Sequence, residues 1–151
     1  MIQIKKIGFA GLILLFGLNV NAQTDSKSEI NLISETLMNY IDGTANGELD
    51  KLQKAFHPDF NLYSVTDEDS LRVWHGKDYV GNIKEGKKSN RIGRIISIDF
   101  ENNAAMAKAE IVIPNWRVFT DYFLLLKYEG SWKIVHKSYT WRDIPKPDSK
   151  K

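Results

Sequence analysis

The side chains that could do chemistry in this chain are three histidines and a few polar residues inside apolar segments. His57, His75 and His136 lie far apart, and none has a second histidine or an acid at the spacing typical of a metal site. His57 precedes Pro58-Asp59 at a predicted helix end, where His and Asp usually act as cap or dipole partners. The sequence contains no glycine-rich phosphate loop, no G-x-S-x-G nucleophile motif and no H-E-x-x-H zinc motif. We therefore expect neither a metal nor a cofactor.

Two residues point to a cavity. Trp74 stands beside His75 at a strand end, where it either lines a pocket or packs at the edge of the core. Asp121 opens the strongly hydrophobic run 122–126, so its carboxylate lies either at the wet end of the strand or in a cavity. The scarcity of buried acids in proteins favours the wet end.

The last predicted strand, 132–141, carries polar residues on both faces. One face reads Trp132, Ile134, His136, Ser138 and Thr140, and the other reads Lys133, Val135, Lys137, Tyr139 and Trp141. Such a strand suits a sheet that faces a polar cavity on one side and solvent or a partner on the other.

The elements that must position these residues fall into helices first and strands second. Apolar spacings of three and four predict an amphipathic helix from Glu29, with Ser28 as N-cap and Gly43 and Gly47 as breakers. Shorter helices are predicted over 49–56 and 77–84, and strands over 60–65, 71–75, 92–101, 104–113, 116–129 and 132–141. This order predicts an α+β fold with helices on one face of a bent antiparallel sheet.

The amino-terminal segment predicts export. Two lysines without an acid precede the uncharged apolar run 7–18, and residues 20–22 suit a signal peptidase. A membrane-spanning helix needs about 20 apolar residues, and this run is broken at Asn19. We expect cleavage before Gln23 and a mature protein without a membrane anchor, in the periplasm or secreted.

The remaining chain has the size of one domain. We expect a signal peptide over 1–22, a flexible start over 23–28, a single α+β domain over 29–142 and a disordered tail over 143–151. The absence of cysteine excludes disulfides and thiolate metal sites.

Charge gives no support for a nucleic-acid partner. The chain holds 21 basic and 19 acidic side chains, and cleavage removes two lysines, which leaves 19 of each sign. A basic cluster over 84–94 is interrupted by Glu85 and lacks interleaved aromatics, so it is interpreted as a solvated loop.

Several segments together resemble the nuclear transport factor 2-like superfamily: Tyr40-Ile41, 47–52, 56–60, a short helix containing Gly76, and 121–135. The ending D-Y-x-x-L-L-K…G-x-W-K-I-V-x-K is most similar to small bacterial proteins grouped as putative lumazine-binding. The resemblance implies a cone-shaped barrel, in which a curved antiparallel sheet wraps around a long N-terminal helix and encloses an apolar cavity. It also implies a homodimer formed through the outer sheet face.

Ketosteroid isomerase is the member of this superfamily with the clearest chemistry. The resemblance places its oxyanion-donating tyrosine at Tyr40, its general base near Ser64 and its protonated acid near Leu124. A serine cannot take a carbon-bound proton and a leucine donates nothing, so steroid-type isomerisation is not expected. The resemblance to ketosteroid isomerase also implies that three more side chains point into the cavity: Tyr122, Lys137 and Trp141.

The candidate pocket residues are therefore Tyr40, Trp74, Asp121, Tyr122, His136, Lys137 and Trp141. The favoured function is binding of a small apolar or aromatic ligand between aromatic walls and a few polar anchors. The first alternative is a lyase or isomerase of the polyketide cyclase/dehydratase (SnoaL-like) kind. It would use Tyr40 as electrophile and His136, His57 or Asp121 as base, and the two must converge on one site. The second is a dimeric interaction module whose vestigial pocket is filled by side chains.

Overall fold

A computed structural model of the protein describes residues 27–145. The predicted signal peptide, its cleavage site, residues 23–26 of the flexible start and residues 146–151 of the tail lie outside the described residues. Within 27–145, no helix is both long enough and apolar enough to cross a membrane.

Helices dominate the first part of the described chain and strands the second. The elements are α1 (Glu29–Asn46), α2 (Leu49–Ala55), β1 (Phe56–Val65), β2 (Leu71–His75), α3 (Gly76–Gly81), β3 (Ile92–Glu101), β4 (Ala104–Ile113), β5 (Arg117–Tyr128) and β6 (Ser131–Asp143). Ser28 stands at the N-cap of α1 with an extended backbone, although its side chain makes no cap hydrogen bond.

Two glycines of the first helical segment differ in role. Gly43 does not break α1 as predicted, because the helix continues through it while α2 packs against it. A Cβ on Gly43 would lie 2.6 Å from Leu52 Cδ2. Gly47 does end the helix: its φ of 68° lies in the left-handed region, and its N–H donates to the Gly43 carbonyl.

Two strands are longer than the sequence pattern predicts. β1 begins at Phe56, four residues before the predicted start, because Phe56 already pairs with Ile134 of β6. β6 continues to Asp143, whose carboxylate accepts a hydrogen bond from Arg117 Nε at 2.8 Å. Strand β6 thus ends one residue beyond the predicted domain boundary at residue 142.

The predicted α+β class is confirmed, with a curved sheet packed around a long N-terminal helix. The six strands are ordered β2-β1-β6-β5-β4-β3 in an open sheet. Four of the five neighbouring pairs are antiparallel, and β1 with β6 is parallel.

The core lies between α1 and the concave face of the sheet. From α1 it takes Ile33, Leu37 and Ile41, which recur at spacings of four. The sheet supplies residues such as Phe123 and Ile134, together with three buried alanines of β4: Ala105, Ala107 and Ala109. These short side chains leave room for the helix and for a cavity beside it.

A β-bulge in β6 reverses the faces of that strand. The pairing with β5 passes from Leu124–His136 to Leu125–Ile134, so Val135 is the extra residue. Trp132 and Ile134 are buried on the concave side before the bulge, and Lys137 is buried there after it. The bulge explains why neither alternating set of this strand is uniformly apolar.

Candidate functional site

A cavity of about 340 Å³ opens between the concave face of the sheet, α1 and α3. Its lining is mostly aromatic and aliphatic, with a few polar residues: Tyr40, Leu62, Trp74, Tyr79, Asn82, Ile83, Arg91, Ile111, Ile113, Phe119, Asp121, Lys137 and Tyr139. A space of this size and composition is typical of small-molecule sites.

Three polar side chains meet in the wall of this cavity and form what we call the Tyr40–Asp121–Lys137 triad. The Tyr40 hydroxyl donates to Asp121 Oδ2 at 2.7 Å. Lys137 Nζ donates to Tyr40 Oη at 2.9 Å and to Asp121 Oδ2 at 3.2 Å. All three are nearly inaccessible to solvent, with 2%, 1% and 4% exposure respectively. The favoured expectation that Asp121 lies at the wet end of its strand is therefore wrong.

Each member of the triad comes from a different element. Tyr40 lies on the buried face of α1, one turn beyond Leu37. Asp121 lies on β5, where its backbone pairs with Ala109 on one side and Tyr139 on the other. Lys137 reaches the concave side only because the bulge precedes it.

The ionisation of the triad follows from burial and from the short contacts. Burial raises the pKa of Tyr40 well above its ordinary value, and the neighbouring Asp121 carboxylate raises it further. Burial by itself would lower the pKa of Lys137, but attraction to Asp121, its hydrogen bond and the neighbouring Tyr79 and Tyr139 together outweigh burial, and the net pKa is raised. Tyr40 is therefore a neutral phenol and Lys137 an ammonium group at neutral pH, because the pKa of each is raised.

Aromatic rings complete the surroundings of the ammonium group. Lys137 Nζ lies 4.9 Å from the ring centroid of Tyr40, 5.3 Å from that of Tyr79 and 5.0 Å from that of Tyr139. Ring faces attract cations, and more strongly where water is excluded. These contacts hold the charge on Lys137 beside the cavity.

The triad leaves hydrogen-bonding capacity unused. An ammonium group has three N–H donors, and Lys137 directs two of them at Tyr40 and Asp121. Asp121 Oδ1 is buried and has no hydrogen-bond partner among the described residues. Lys137 and Asp121 both line the cavity, and each thus retains hydrogen-bonding capacity.

Four of the seven candidate pocket residues line the cavity: Tyr40, Trp74, Asp121 and Lys137. Tyr122 does not. It is 47% exposed on the outer face of the sheet, where Lys108 Nζ lies 5.5 Å from its ring centroid. The inward residues of β5 are its neighbours Asp121 and Phe123, and alternation along a strand turns Tyr122 away.

His136 and Trp141 also lie outside the cavity lining. His136 is on the outer face, stacked on Tyr63 with ring centroids 4.6 Å apart, because the bulge at Val135 reverses the strand. Trp141 packs near Phe119, and the guanidinium of Arg117 lies 5.1 Å from its ring centroid.

Only one of the three candidate bases converges with Tyr40. His57 packs edge-on to Tyr128 at the start of β1, and its Nδ1 accepts a hydrogen bond from the Asp59 N–H at 3.2 Å. His136 is on the opposite face of the sheet, as described above. Asp121 remains, in direct contact with Tyr40.

Sequence reasoning missed several lining residues. Tyr79 lies in α3, a helix of six residues that is too short to show a clear periodicity. Tyr139 lies on β6 after Val135, so its facing depends on the bulge. Phe119 lies on β5, two residues before Asp121 and on the same face of that strand. Arg91 follows a loop that seemed merely solvated. No group of three His, Asp or Glu side chains within 27–145 is placed to hold a metal ion.

Comparison with known proteins is consistent with this architecture. The sequence profile of the family described as putative lumazine-binding matches residues 28–140. Aldolase FrzH from Cladobotryum sp. is 24% identical over 117 residues, covering 76% of this chain and 92% of that protein.

Two solved structures have the same fold. An NTF2-like protein from Shewanella baltica superposes with a TM-score of 0.67 and 26% identity, over 76% of this chain and 94% of its own. An NTF2-like protein from Methylobacillus flagellatus gives a TM-score of 0.67 and 29% identity, over 79% of this chain and 96% of its own.

Proposed function

Because this chain belongs to the putative lumazine-binding family of the NTF2-like superfamily, we propose that it binds a small molecule in the cavity and holds it against the triad. The observation that carries the proposal is a buried ion pair in a mostly apolar wall, Lys137 Nζ to Asp121 Oδ2 at 3.2 Å. Removing two charges from water is costly, and well-packed apolar residues of similar volume stabilise a fold as well or better. A buried pair that borders an open cavity is therefore better explained by recognition than by stability.

The unused polar atoms indicate what the ligand is like. Lys137 can donate one further hydrogen bond, and Asp121 Oδ1 can accept one. The surrounding rings of Trp74, Tyr79 and Phe119 favour a flat, mostly apolar body. A heteroaromatic ring with a carbonyl oxygen beside a ring N–H fits this arrangement, and pteridines and flavins belong to this class.

Thermal-shift measurements with lumazine and riboflavin test this proposal. We expect either ligand to raise the melting temperature of the wild type. The Tyr40→Phe/Asp121→Leu/Lys137→Met variant should lose the shift, because it removes the polar anchor. Tyr122→Phe, on the outer face, is the matched control and should keep it. No shift with either ligand would count heavily against this ligand class.

A second candidate function is cleavage of a β-hydroxycarbonyl compound, as in an aldolase. The observation that favours it is the 2.7 Å contact between Tyr40 Oη and Asp121 Oδ2, which brings an acid and a base together. The relative named Aldolase FrzH supports it at low identity. Asp121 would take the proton of the β-hydroxyl group as the carbon–carbon bond breaks. The electron pair of that bond would move toward the carbonyl group, whose oxygen Lys137 stabilises as the enolate forms, and protonated Asp121 would then return its proton to the enolate carbon.

A fluorogenic β-hydroxyketone that releases a naphthaldehyde tests the second candidate. Turnover by the wild type that falls at least about a hundredfold in Asp121→Asn, while ligand binding persists, would favour the enzyme. Binding without turnover would contradict the enzyme and support the binding function.

We also propose that the protein is exported and that its mature chain begins at Gln23. The support is the charged and apolar pattern of residues 1–22. Amino-terminal sequencing of the protein from a secretory host should give Gln-Thr-Asp. An uncleaved amino terminus in the cytoplasmic fraction would contradict export.

Finally, we propose that the protein forms a homodimer through the outer face of its sheet. Large apolar side chains there are about half exposed, which is unusual for a contiguous set in a monomer: Met106, Tyr122, Leu124 and Leu126. Neighbours across β4 and β5 pair directly, Met106 with Leu124 and Ala104 with Leu126, so the residues form one patch.

A further inference from the structure

The segment 84–91, which we call the basic loop, is exposed over 84–90 and borders the main cavity at Arg91. A second cavity of about 180 Å³ adjoins the main one and is lined by Thr44, Asn82, Ile83, Lys84, Lys87, Lys88, Ser89 and Arg91. Asn82, Ile83 and Arg91 line both cavities. The two spaces therefore share one boundary, and Arg91 stands on it.

The basic loop is held in place by the carboxyl end of α1. Ser89 N donates to the Ala45 carbonyl at 2.7 Å, and Gly86 N donates to the Gly47 carbonyl at 2.9 Å. The approach is close, because a Cβ on Gly47 would lie only 2.4 Å from the Lys84 carbonyl oxygen. The backbone of the loop is thus anchored, while its long side chains remain free to reach a ligand.

Within the part of the chain that the structure describes, the basic side chains of the basic loop form no ion pairs. The loop has four basic side chains and one acidic one, Glu85. Among residues 27–145, the ion pairs involve none of Lys84, Lys87, Lys88 and Arg91. Arg94, three residues further on, behaves differently: its guanidinium pairs with Glu110 on the outer face.

From this geometry we infer that the ligand of the main cavity carries an anionic oxygen group, such as a phosphate, sulfonate or carboxylate. Its apolar body lies in the main cavity, and its anionic group lies at the mouth, on Arg91 and the basic loop. The inference rests on the proposed binding function and narrows its ligand class. Guanidinium and ammonium groups form strong, charge-assisted hydrogen bonds with such oxygens.

Two fluorescent probes that differ only in charge test the inference. Anilinonaphthalene sulfonate has an apolar body and a sulfonate, and N-phenylnaphthylamine has the same body without it. We expect the wild type to bind the sulfonate at least about tenfold more tightly, the value typical of one charge-assisted hydrogen bond. Each probe should displace the other. Added salt should lower the affinity for the sulfonate probe only.

Variants then locate the source of the preference. Arg91→Gln should lower sulfonate affinity by about tenfold and leave N-phenylnaphthylamine unchanged. The triple variant Lys84→Gln/Lys87→Gln/Lys88→Gln should likewise lower the affinity for the sulfonate and leave that for N-phenylnaphthylamine unchanged. Arg94→Gln makes the same charge change on the outer face and is the matched control, expected to change neither probe. Thermal melting of each variant verifies that it is folded.

Other outcomes separate the two proposals. Equal affinity for both probes in the wild type would overturn the anionic-ligand inference and leave the binding function intact. Equal losses in Arg91→Gln and Arg94→Gln would overturn it too, because they would show a general charge effect. Binding of neither probe would count against the cavity as a binding site.

Discussion

At the scale of single residues, the Lys137–Asp121 pair is costly to stability unless both partners are present. Each charge is almost completely buried, and each is the principal compensation for the other. Tyr40 Oη adds a hydrogen bond to both. The triad therefore behaves as one unit in mutational experiments, with strongly non-additive effects.

Lys137→Met should lower the free energy of unfolding by roughly 3–5 kcal/mol, because it leaves the Asp121 carboxylate buried without its partner. The triple change Tyr40→Phe/Asp121→Leu/Lys137→Met should recover most of that loss, since no buried polar group is then unpaired. Urea denaturation measures both. A triple variant as unstable as the single one would assign the triad a structural role.

The ionisation of Glu29 makes the stability of the fold depend on pH, and the sign of this dependence follows from the direction of its pKa shift. Hydrogen bonds from Lys127 and Trp132 hold the pKa of Glu29 below its ordinary value of 4.5. A carboxyl group with a lowered pKa stabilises the fold above the unfolded-state pKa and loses that contribution as the pH falls. Glu29→Gln should therefore lower the urea midpoint at neutral pH, and its difference from the wild type should shrink below about pH 4.5 as Glu29 becomes protonated.

The control for that measurement is Glu35→Gln. Glu35 also pairs with a lysine, Lys27 at 2.7 Å, but both side chains are mostly exposed. Exposed pairs contribute little, so this variant should leave the midpoint nearly unchanged. Equal effects of the two variants would show that Glu29 does not fasten α1 to the sheet.

At the scale of elements, the junction of α1, α2 and the basic loop depends on Gly47. Its φ is 68°, and Gly86 in the loop has the same φ, so alanine costs about 1 kcal/mol of backbone strain at either position. A Cβ on Gly47 would also meet three backbone atoms within 3 Å, whereas one on Gly86 would meet nothing within 4 Å.

Gly47→Ala should therefore destabilise the protein more than Gly86→Ala, and it should also displace the basic loop. We expect the unfolding free energy to fall by clearly more than the roughly 1 kcal/mol of backbone strain. The preference for the sulfonate probe should fall with it. Chemical denaturation and probe titration on both variants check this. Equal effects of the two substitutions would mean that the loop is not held by this contact.

The strand and helix pattern could be predicted from the sequence, because apolar periodicity follows directly from which face is buried. The face of the sheet on which each residue lies could not be predicted from the sequence. Val135 adds one residue to β6, and the residues after it change sides relative to simple alternation. Lys137 and His136 were both candidates, and the bulge decides that Lys137 lines the cavity and His136 does not. Nothing in the local sequence marks Val135 as the extra residue.

The burial of Asp121 could not be predicted from the sequence, for a different reason. General frequencies favour an exposed acid, and the compensation comes from Lys137 and Tyr40, which are 16 and 81 residues away in sequence. Contacts of this kind become visible only when three elements are placed together.

At the scale of the whole molecule, the two faces of the sheet serve separate purposes. The concave face holds α1 and the cavity, and the outer face presents the apolar patch around Leu124. A dimer formed on the outer face would leave the mouth of the cavity open. Assembly and ligand binding should therefore be separable by mutation.

Leu124→Lys places a charge in the centre of the proposed dimer interface. We expect it to convert a dimer into a monomer without changing probe affinity in the cavity. Light scattering coupled to size exclusion measures the mass. Lys108→Gln, beside Tyr122 at the edge of the patch, is the milder control and should leave the dimer largely intact. A wild-type protein that is already monomeric at high concentration would contradict the dimer.

The parallel pairing of β1 with β6 has a consequence for the order in which the molecule can form. Asn61 pairs with His136, so the middle of the sheet joins segments 75 residues apart. A ribosome must deliver β6 before β1 and β2 can join the rest of the sheet, and Lys137 is delivered in that same segment. Until then β1 lacks the strand that connects it to β5, and Asp121 on β5 lacks the cation that pairs with it. Folding is therefore expected to be late and all-or-none, with a rate limited by long-range contacts and not by the helices.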